Sequence, residues 1–188
     1  MTLSNLAEVS RSITEKVLEL VDEGVATPII LIDGRAGSGK STMAAMVQND
    51  LFKDGESLPR LIHMDDLYEG WDGLALGADY LQRNILNQVV ARKKSTWQEF
   101  NWALGHRERW REFEGLTPLI VEGCGSLNRT SAELAHLRVW VEASDDVRMA
   151  RWLEREGNID HWAAWSAQEL DFYARERSHE LADLTVAN

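Results

Sequence analysis

The sequence has 188 residues, of which 44% are hydrophobic and 27% are charged, and its formal net charge is −11. These values are ordinary for a globular protein and suit a single domain, 1–188, that can bury a sizeable core. The acidic excess disfavours partners such as nucleic acid or an anionic membrane, because both are negatively charged. With one cysteine, Cys124, no internal disulfide can form and a thiolate zinc site is disfavoured.

The first residues, MTLSNLAEVSRSI, lack the basic and apolar regions of a signal peptide. Apolar runs such as Ile29 to Ile32 are far shorter than the roughly 20 residues of a transmembrane helix. We therefore expect a cytoplasmic protein that does not bind membranes.

Apolar residues at helical spacing predict an amphipathic helix over residues 4–23. Residues 28–33 form a continuous apolar run that predicts the first strand, a helix follows over 40–52, and 60–64 predict the second strand. Two apolar strands joined by a helix favour a parallel sheet with helices on both faces.

The segment between the first strand and its helix reads GRAGSGKS, a full match to the phosphate-binding pattern G-x-x-x-x-G-K-[ST]. Its glycines let successive backbone N–H groups converge on phosphate oxygens, and the following helix adds the positive end of its dipole. Lys40 is expected to reach the β- and γ-phosphates of ATP, and the Ser41 hydroxyl to hold Mg²⁺. The predicted nucleotide-binding residues are Gly34, Ala36, Gly37, Ser38, Gly39, Lys40, Ser41 and Thr42.

Two acids, Asp65 and Asp66, follow the second predicted strand. Ligands of open α/β sheets bind at the carboxyl ends of the strands, so these acids fall on the same edge as the glycine-rich loop. Because side chains alternate along an extended chain, we expect only one of the two to point into the cleft. That carboxylate could accept a proton from a substrate hydroxyl, or both acids could merely begin a polar loop.

Residues 78–91 predict another amphipathic helix, and residues 96–114 alternate polar and aromatic side chains around a glycine-containing link, which predicts a β-hairpin. The hairpin is rich in aromatic residues, namely Trp97, Phe100, Trp102, Trp110 and Phe113. Stacking on a nucleobase or sugar is one interpretation. Packing in a small local core, or against a second subunit of a homodimer, is the other.

A third strand is predicted over 118–123, and Glu122 stands at its carboxyl end. Enzymes with a phosphate-binding loop place an acid near Mg²⁺ at this point, so Glu122 is assigned to the metal side together with Ser41. A short helix over 130–136 leads to a fourth strand over 137–143, and 182–186 predict a fifth.

A helix predicted to end near Glu156 carries Arg148, Arg151 and Arg155 on one stripe. Such a stripe needs a nearby negative charge, because neighbouring arginines repel one another. Either Asp145 or Glu154 supplies it, or the segment 148–160 is a lid whose Arg151 and Arg155 clamp the transferring phosphate.

Residues 160–181 predict a last helix, in which Glu169 lies within a stripe of aromatic residues. Two positions are open for this carboxylate. It could bind a substrate hydroxyl, or it could lie at a surface edge.

The order of motifs, IDGRAGSGKS at 32–41, DDLY at 65–68, VEG at 121–123 and then an arginine-rich helix, resembles the group of uridine kinase, phosphoribulokinase and pantothenate kinase. The resemblance covers about residues 28–188. It implies an α/β P-loop NTPase of the nucleoside-kinase type, with a five-stranded parallel sheet flanked by helices, a small hairpin insertion and a helical lid.

In that group the second motif is typically Asp-Ser-Phe-Tyr and its Asp is the catalytic base, which assigns the base to Asp65 and matches Tyr68 to the Tyr. Uridine kinases also hold the nucleoside with a hairpin motif, Tyr-Asp-Phe-x-x-His-x-Arg. This chain has Phe100 and Trp102 on either side of an Asn, and His106 follows one residue farther along than the motif requires. The aromatic character is therefore kept, whereas the Asp and the spacing are not.

The leading hypothesis is an ATP- and Mg²⁺-dependent kinase that phosphorylates a hydroxyl of a small metabolite, with a nucleoside-like acceptor favoured. The candidate catalytic residues are Lys40, Asp65, Arg151 and Arg155. The candidate acceptor-binding residues are Asp65, Tyr68, Arg83, Phe100, Trp102, His106 and Glu169.

Two alternatives are a nucleoside monophosphate kinase and a non-catalytic ATP-binding regulatory protein. The first needs a basic pocket, for which the sequence offers Arg83, Arg107, Arg109 and Arg111. A GTPase switch is disfavoured, because the sequence contains no Asn-Lys-x-Asp motif.

Overall fold

The computed structural model describes residues 3–55 and 58–188, with side chains described from Leu6 onward. Its helices are α1 (Leu3–Asp22), α2 (Lys40–Gly55), α3 (Leu74–Leu81), α4 (Asn87–Val90), α5 (Arg129–Ala132), α6 (Asp145–Glu156), α7 (Trp162–Glu176) and α8 (Ser178–Leu181). Its strands are β1 (Ile29–Asp33), β2 (Arg60–His63), β3 (Ser95–Asn101), β4 (His106–Phe113), β5 (Leu119–Glu122), β6 (Leu137–Glu142) and β7 (Leu184–Ala187).

Five strands form one parallel sheet in the order β2-β5-β1-β6-β7. Every residue of β1 and β5 is buried, as expected where helices cover both faces of a parallel sheet. The predicted five-stranded parallel sheet is therefore confirmed. Its register aligns the carboxyl ends of β1, β2 and β5 along one edge.

The side chains of β1 alternate between two apolar clusters. Ile30 and Ile32 pack with buried residues of α1 and α2 on one face. Ile29 and Leu31 pack with residues of α3 and α7 on the other face. The central strand is thus fixed from both sides, and the loop that follows it starts from a rigid position.

Strands β3 and β4 pair with each other in a separate antiparallel sheet, which confirms the predicted hairpin. The register shifts between Glu99 and Phe100, where a bulge interrupts the alternation.

Two predicted helices differ from the structure. The helix expected over 78–91 begins earlier, at Leu74, and a π-helical segment, Gln82–Leu86, separates α3 from α4. The helix expected over 160–181 is broken at Arg177, whose left-handed backbone (φ 56°) separates α7 from α8. None of the described helices is both long enough and apolar enough to cross a bilayer.

The burial of β1 generates a stability prediction. Ile30 is fully buried, so Ile30→Ala should lower the free energy of unfolding by about 2–5 kcal/mol through lost burial and a residual cavity. The matched control is Leu170→Ala, because Leu170 is 60% exposed and should change stability by less than about 0.5 kcal/mol. Chemical denaturation measures both, and equal effects would contradict the assignment of β1 to the core.

Candidate functional site

The segment Gly34–Ser41, called the phosphate loop below, joins β1 to α2 at the carboxyl edge of the sheet. At Gly37 the backbone has φ of 79°, and a Cβ there would lie 2.4 Å from the carbonyl oxygen of Arg148. Only glycine therefore allows the loop to pack this closely against α6. The loop opens into α2, whose N-terminal dipole favours an anion at this point.

Lys40 belongs to the phosphate loop, and its side chain is nearly buried beneath the loop backbone. Its Nζ donates to the carbonyl oxygen of Arg35 at 3.1 Å and lies 3.6 Å from Sγ of Cys124. Burial alone would lower the pKa of Lys40, but the surrounding acidic groups, among them the carboxylates of Glu122 and Glu169, outweigh burial and raise that pKa. The ammonium therefore stays charged beside the loop.

Ser41 and Glu122, predicted to share the metal side, are brought together. The Ser41 hydroxyl donates to Oε1 of Glu122 at 3.0 Å. Nδ1 of His63 lies 2.6 Å from the same oxygen, and this hydrogen bond raises the pKa of His63 although burial opposes it. His63 was not predicted, because only the pairing of β2 with β5 sets it opposite Glu122.

Asp33 is a buried carboxylate at the base of the loop that the sequence analysis did not single out. It accepts hydrogen bonds from the N–H groups of Gly34 and Leu127 at 2.6 and 2.8 Å, and from the Tyr173 hydroxyl at 2.7 Å. Burial raises its pKa to about 7, although these hydrogen bonds act in the opposite direction. Asp33 thus ties the start of the phosphate loop to the segment after β5 and to α7.

Glu169 has no exposed surface and holds the phosphate loop from below. Its Oε1 accepts the N–H of Ala36 at 2.6 Å and Nε1 of Trp165 at 3.1 Å. Its Oε2 lies 3.2 Å from Nε of Arg35 and 3.5 Å from Nη2 of Arg148. Both positions expected for this carboxylate, on a substrate hydroxyl or at a surface edge, are therefore corrected to a buried position beneath the loop.

The three arginines of the α6 stripe have different surroundings. Arg148 is buried and lies 3.1 Å from Asp145, as the compensation alternative expected. Arg151 donates to the carbonyl oxygens of Gly37 and Ser38 at 3.1 and 3.2 Å. Arg155 lies farther along α6 and reaches the cavity described next.

The phosphate loop contributes to two cavities. The first, of about 510 Å³, is called the β6 cavity because it lies where β6 passes into α6; it is lined by Arg35, Ser38, Trp140, Val141, Glu142, Asp145 and Asn188, among others. The second, of about 360 Å³, is called the cleft cavity and joins the loop to the wall opposite. Its charged and aromatic lining residues are Lys40, Asp65, Asp66, Tyr68, Trp71, Trp102, Glu122, Trp152, Arg155, Glu156 and Trp165.

Asp65 and Asp66 both contribute to the lining of the cleft cavity, but Asp66 also lines two depressions beside the hairpin. The charges that act on Asp65 are those of the cleft, Glu122, Arg155 and Lys40, whereas Asp66 is influenced by Glu99, His63 and Arg111. Met64–Asp66 form a turn of 3-10 helix and not the extended chain that was expected, yet the two acids still have different surroundings. Asp65 is reached by solvent through the open cleft, yet the surrounding protein and the charge of Glu122 raise its pKa. The pKa of Asp66 is also raised, by partial burial and then by Glu99.

No family model matches the sequence, and no curated protein matches it in sequence. Among solved structures, a candidate uridine kinase from Bacillus stearothermophilus superposes with a TM-score of 0.70 at 18% identity, over 99% of this chain and 100% of that one. A candidate fructose transport system kinase from Silicibacter sp. TM1040 gives 0.69 at 21% identity, over 98% of each chain. The chain has the fold of the uridine kinase-like P-loop kinases. D-glycerate 3-kinase from Cryptococcus neoformans var. grubii shares this fold. It superposes with a TM-score of 0.55 at 13% identity, over 92% of this chain and 88% of that one.

Two of the residues predicted for the acceptor side, Tyr68 and Trp102, line the cleft cavity. Nε1 of Trp102 donates to the carbonyl oxygen of Asp65 at 2.9 Å, which anchors the hairpin beside the acidic pair. Phe100 packs edge-on against Trp102 and faces a neighbouring depression instead of the cleft. Trp71 and Trp165 also line the cavity but were not among the predicted site residues.

Two predicted acceptor residues lie elsewhere. Arg83 is exposed on the π-helical segment and pairs with Asp79 at 2.8 Å, because the helix turns its polar side to solvent. His106 is exposed at the end of the hairpin, where its ring contacts the backbone of Leu104. Neither residue lines the cleft cavity.

The buried Glu169 network generates a second prediction. Glu169→Ala should destabilise the protein by about 3–5 kcal/mol, because it removes the buried acceptor of Ala36 and Trp165 and leaves Arg148 only the exposed Asp145 as an ionic partner. Glu169→Gln keeps an oxygen for the N–H of Ala36 and should cost less. The control is Asp171→Asn on the same helix, where the side chain is 77% exposed. Chemical denaturation should give this control a free energy of unfolding within about 0.5 kcal/mol of wild type. A Glu169→Ala protein as stable as wild type would contradict the network.

Proposed function

We propose that the protein is an ATP- and Mg²⁺-dependent kinase that transfers a phosphoryl group to a hydroxyl of a small metabolite. One observation carries the proposal: the cleft cavity joins Lys40 and Ser41 of the phosphate loop to the carboxylate of Asp65 on the facing wall. A donor site and a proton acceptor would thus share one cleft. The P-loop kinase fold supports this reading, since similar structures include D-glycerate 3-kinase and a candidate uridine kinase.

The nucleotide side consists of the phosphate loop and α2. Backbone N–H groups between Gly34 and Thr42 and the ammonium of Lys40 would position the phosphates. The β6 cavity, of about 510 Å³, also touches the loop through Ser38 and has room for the nucleoside. Arg151 supports this side indirectly, since it binds the loop carbonyl oxygens.

Ser41 and Glu122 fit a magnesium site, because both offer oxygen atoms, the donors that Mg²⁺ prefers, and they already lie 3.0 Å apart. Across the described residues, no three His, Cys, Asp or Glu side chains are grouped to hold a metal ion without help from a substrate. When bound, Mg²⁺ would neutralise part of the negative charge of the phosphates. The phosphates would complete its coordination.

Asp65 is the proposed base that acts on the acceptor. The acceptor hydroxyl would give its proton to Asp65 as its oxygen bonds to the γ-phosphorus and the bond to the β–γ bridging oxygen breaks. Lys40 and Arg155 face the same cavity and would stabilise the charge on the transferring group. Gly157 ends α6 beside this wall, and closure of the segment 148–160 over the cleft is part of the proposal.

A hydroxyl acceptor without a phosphate is favoured over a nucleoside monophosphate. The arginines considered for an acceptor phosphate lie outside the cleft cavity. Arg107 stacks over the ring of Tyr80 at 3.6 Å, and Arg111 is bonded to Glu99 at 2.7 Å. A coupled ADP-release screen across nucleosides, nucleotides, sugars and pantothenate-like alcohols tests this. We expect release to depend on an unphosphorylated alcohol; ATP consumption that no acceptor stimulates would contradict the proposal.

Asp65→Asn should lower kcat by about 10²–10⁴-fold, because the amide cannot accept the hydroxyl proton. The dissociation constant for ATP should stay unchanged, since Asp65 lies on the acceptor wall. Asp72→Asn, an exposed acid in the same connection, is the matched control and should keep full turnover. Full turnover in Asp65→Asn would overturn the assignment of the base.

Lys40→Ala should abolish turnover, because it removes the ammonium that the loop holds beside the phosphates. Steady-state ADP release measures the loss, and a denaturation curve checks that the variant folds. A folded Lys40→Ala protein with wild-type turnover would exclude phosphoryl transfer at this loop.

A further inference from the structure

The carboxylate of Glu122, assigned above to the magnesium site, is almost fully buried, since only 5% of the residue is exposed. A carboxylate in such a place needs hydrogen-bond donors, because burial removes the water that would otherwise solvate its charge. Two donors reach it, and both lie at Oε1. They are the Ser41 hydroxyl at 3.0 Å and Nδ1 of His63 at 2.6 Å.

The hydrogen bond from His63 is the shorter of the two, and its direction is fixed by chemistry. An ionised carboxylate can only accept, so Nδ1 of His63 carries the proton and donates it to Oε1 of Glu122. Within residues 6–55 and 58–188, the other oxygen, Oε2, takes part in neither a hydrogen bond nor an ion pair. Oε2 is therefore available to a metal ion or to one of its waters.

His63 approaches Glu122 from the side of the sheet edge and not from the cleft. The pairing of β2 with β5 sets His63 directly opposite Glu122. His63 does not line the cleft cavity but contributes to a separate depression beside the hairpin, together with Asp66 and Glu99 among others. His63 can therefore act on the site only through the carboxylate that it holds.

We propose, resting on the magnesium site of the kinase function above, that His63 is a positioning residue for Glu122. Its hydrogen bond fixes Oε1 and thereby leaves Oε2 in a set orientation for Mg²⁺. Ser41 also bonds to Oε1, but its oxygen is itself assigned to the metal. His63 is the donor that serves Glu122 alone, in the way that hydrogen-bond partners behind a metal-binding carboxylate orient it and raise the affinity for the ion.

His63→Leu and His63→Asn form a matched pair that tests the inference. The two new side chains have nearly the same shape, but the amide of Asn places an N–H donor where Nδ1 of His63 lies, whereas Leu has no donor. Because His63 is partly exposed on an edge strand, both variants should fold, and a denaturation curve checks this.

Calorimetric titration gives the dissociation constant for ATP twice for each protein, once with excess Mg²⁺ and once with a chelator that removes the metal. The ratio of the two constants reports how much the metal contributes to nucleotide binding. This measurement needs neither an acceptor nor turnover, so it does not depend on knowing the substrate.

In His63→Leu the dissociation constant for ATP with Mg²⁺ should rise about 10–100-fold, whereas the constant for metal-free ATP should stay as in wild type. His63→Asn should recover most of this loss, because it restores the donor to Oε1 of Glu122. The control is His179→Leu, which removes an imidazole ring that is 56% exposed on α8 and should leave both constants unchanged.

A double-mutant cycle tests whether His63 acts through Glu122. In a Glu122→Gln protein the metal contribution should already be weakened, and the further change His63→Leu should alter it by less than about twofold. Three results would overturn the inference: a loss in His63→Leu that is equal with and without metal, equal losses in His63→Leu and His63→Asn, or a full additional loss in the Glu122→Gln background. An unchanged ratio in His63→Leu would also overturn it.

The outcome separates this inference from the proposed function. If an alcohol is phosphorylated in an Asp65-dependent reaction and the metal contribution does not depend on His63, the kinase stands and the positioning role is wrong. If the metal contribution depends on His63 through Glu122 but no compound is phosphorylated, the positioning role stands and the kinase is wrong.

Discussion

The carboxylate of Glu169 ties helix α7 to the phosphate loop, and the geometry of the candidate site depends on this contact. Ala36 donates its N–H to Glu169, and Arg35 and Arg148 neutralise its charge. A buried charge is tolerated only when its partners are in place, so the loop, α6 and α7 hold one another in a fixed arrangement. Trp165 donates to the same carboxylate while its ring lines the cleft cavity. Part of the cavity wall is therefore attached to the residue that shapes the loop.

The cleft cavity combines two environments with opposite electrostatic demands. Near the loop, Lys40 and the dipole of α2 attract phosphate. On the far wall, the negative charge of Asp65 repels phosphate. The arginines considered for a second phosphate, Arg83, Arg107, Arg109 and Arg111, do not line this cavity.

Much of the fold could be predicted because its signals are local. The glycine pattern identified the phosphate loop, apolar runs identified the five parallel strands, and polar–aromatic alternation identified the hairpin. The boundaries were less accurate. Arg177, for example, adopts a left-handed backbone that no periodicity indicates.

The site was predictable only in part, because its side chains meet across long stretches of sequence. Ala36 and Glu169 are 133 residues apart, and nothing near either residue indicates their contact. His63 reaches Glu122 only through strand pairing. A short 3-10 turn, which the sequence did not indicate, follows β2 and carries Asp65 and Asp66.

The proposed function requires that the cleft direct a phosphoryl group to an acceptor hydroxyl and not to water. The most direct measurement is ³¹P NMR of the reaction run in ¹⁸O-labelled water with the best acceptor of the screen. The proposed function predicts a phosphate ester that contains no ¹⁸O from the solvent and that forms at the same rate as ADP. Inorganic phosphate that carries ¹⁸O, released at the same rate with or without acceptor, would contradict it.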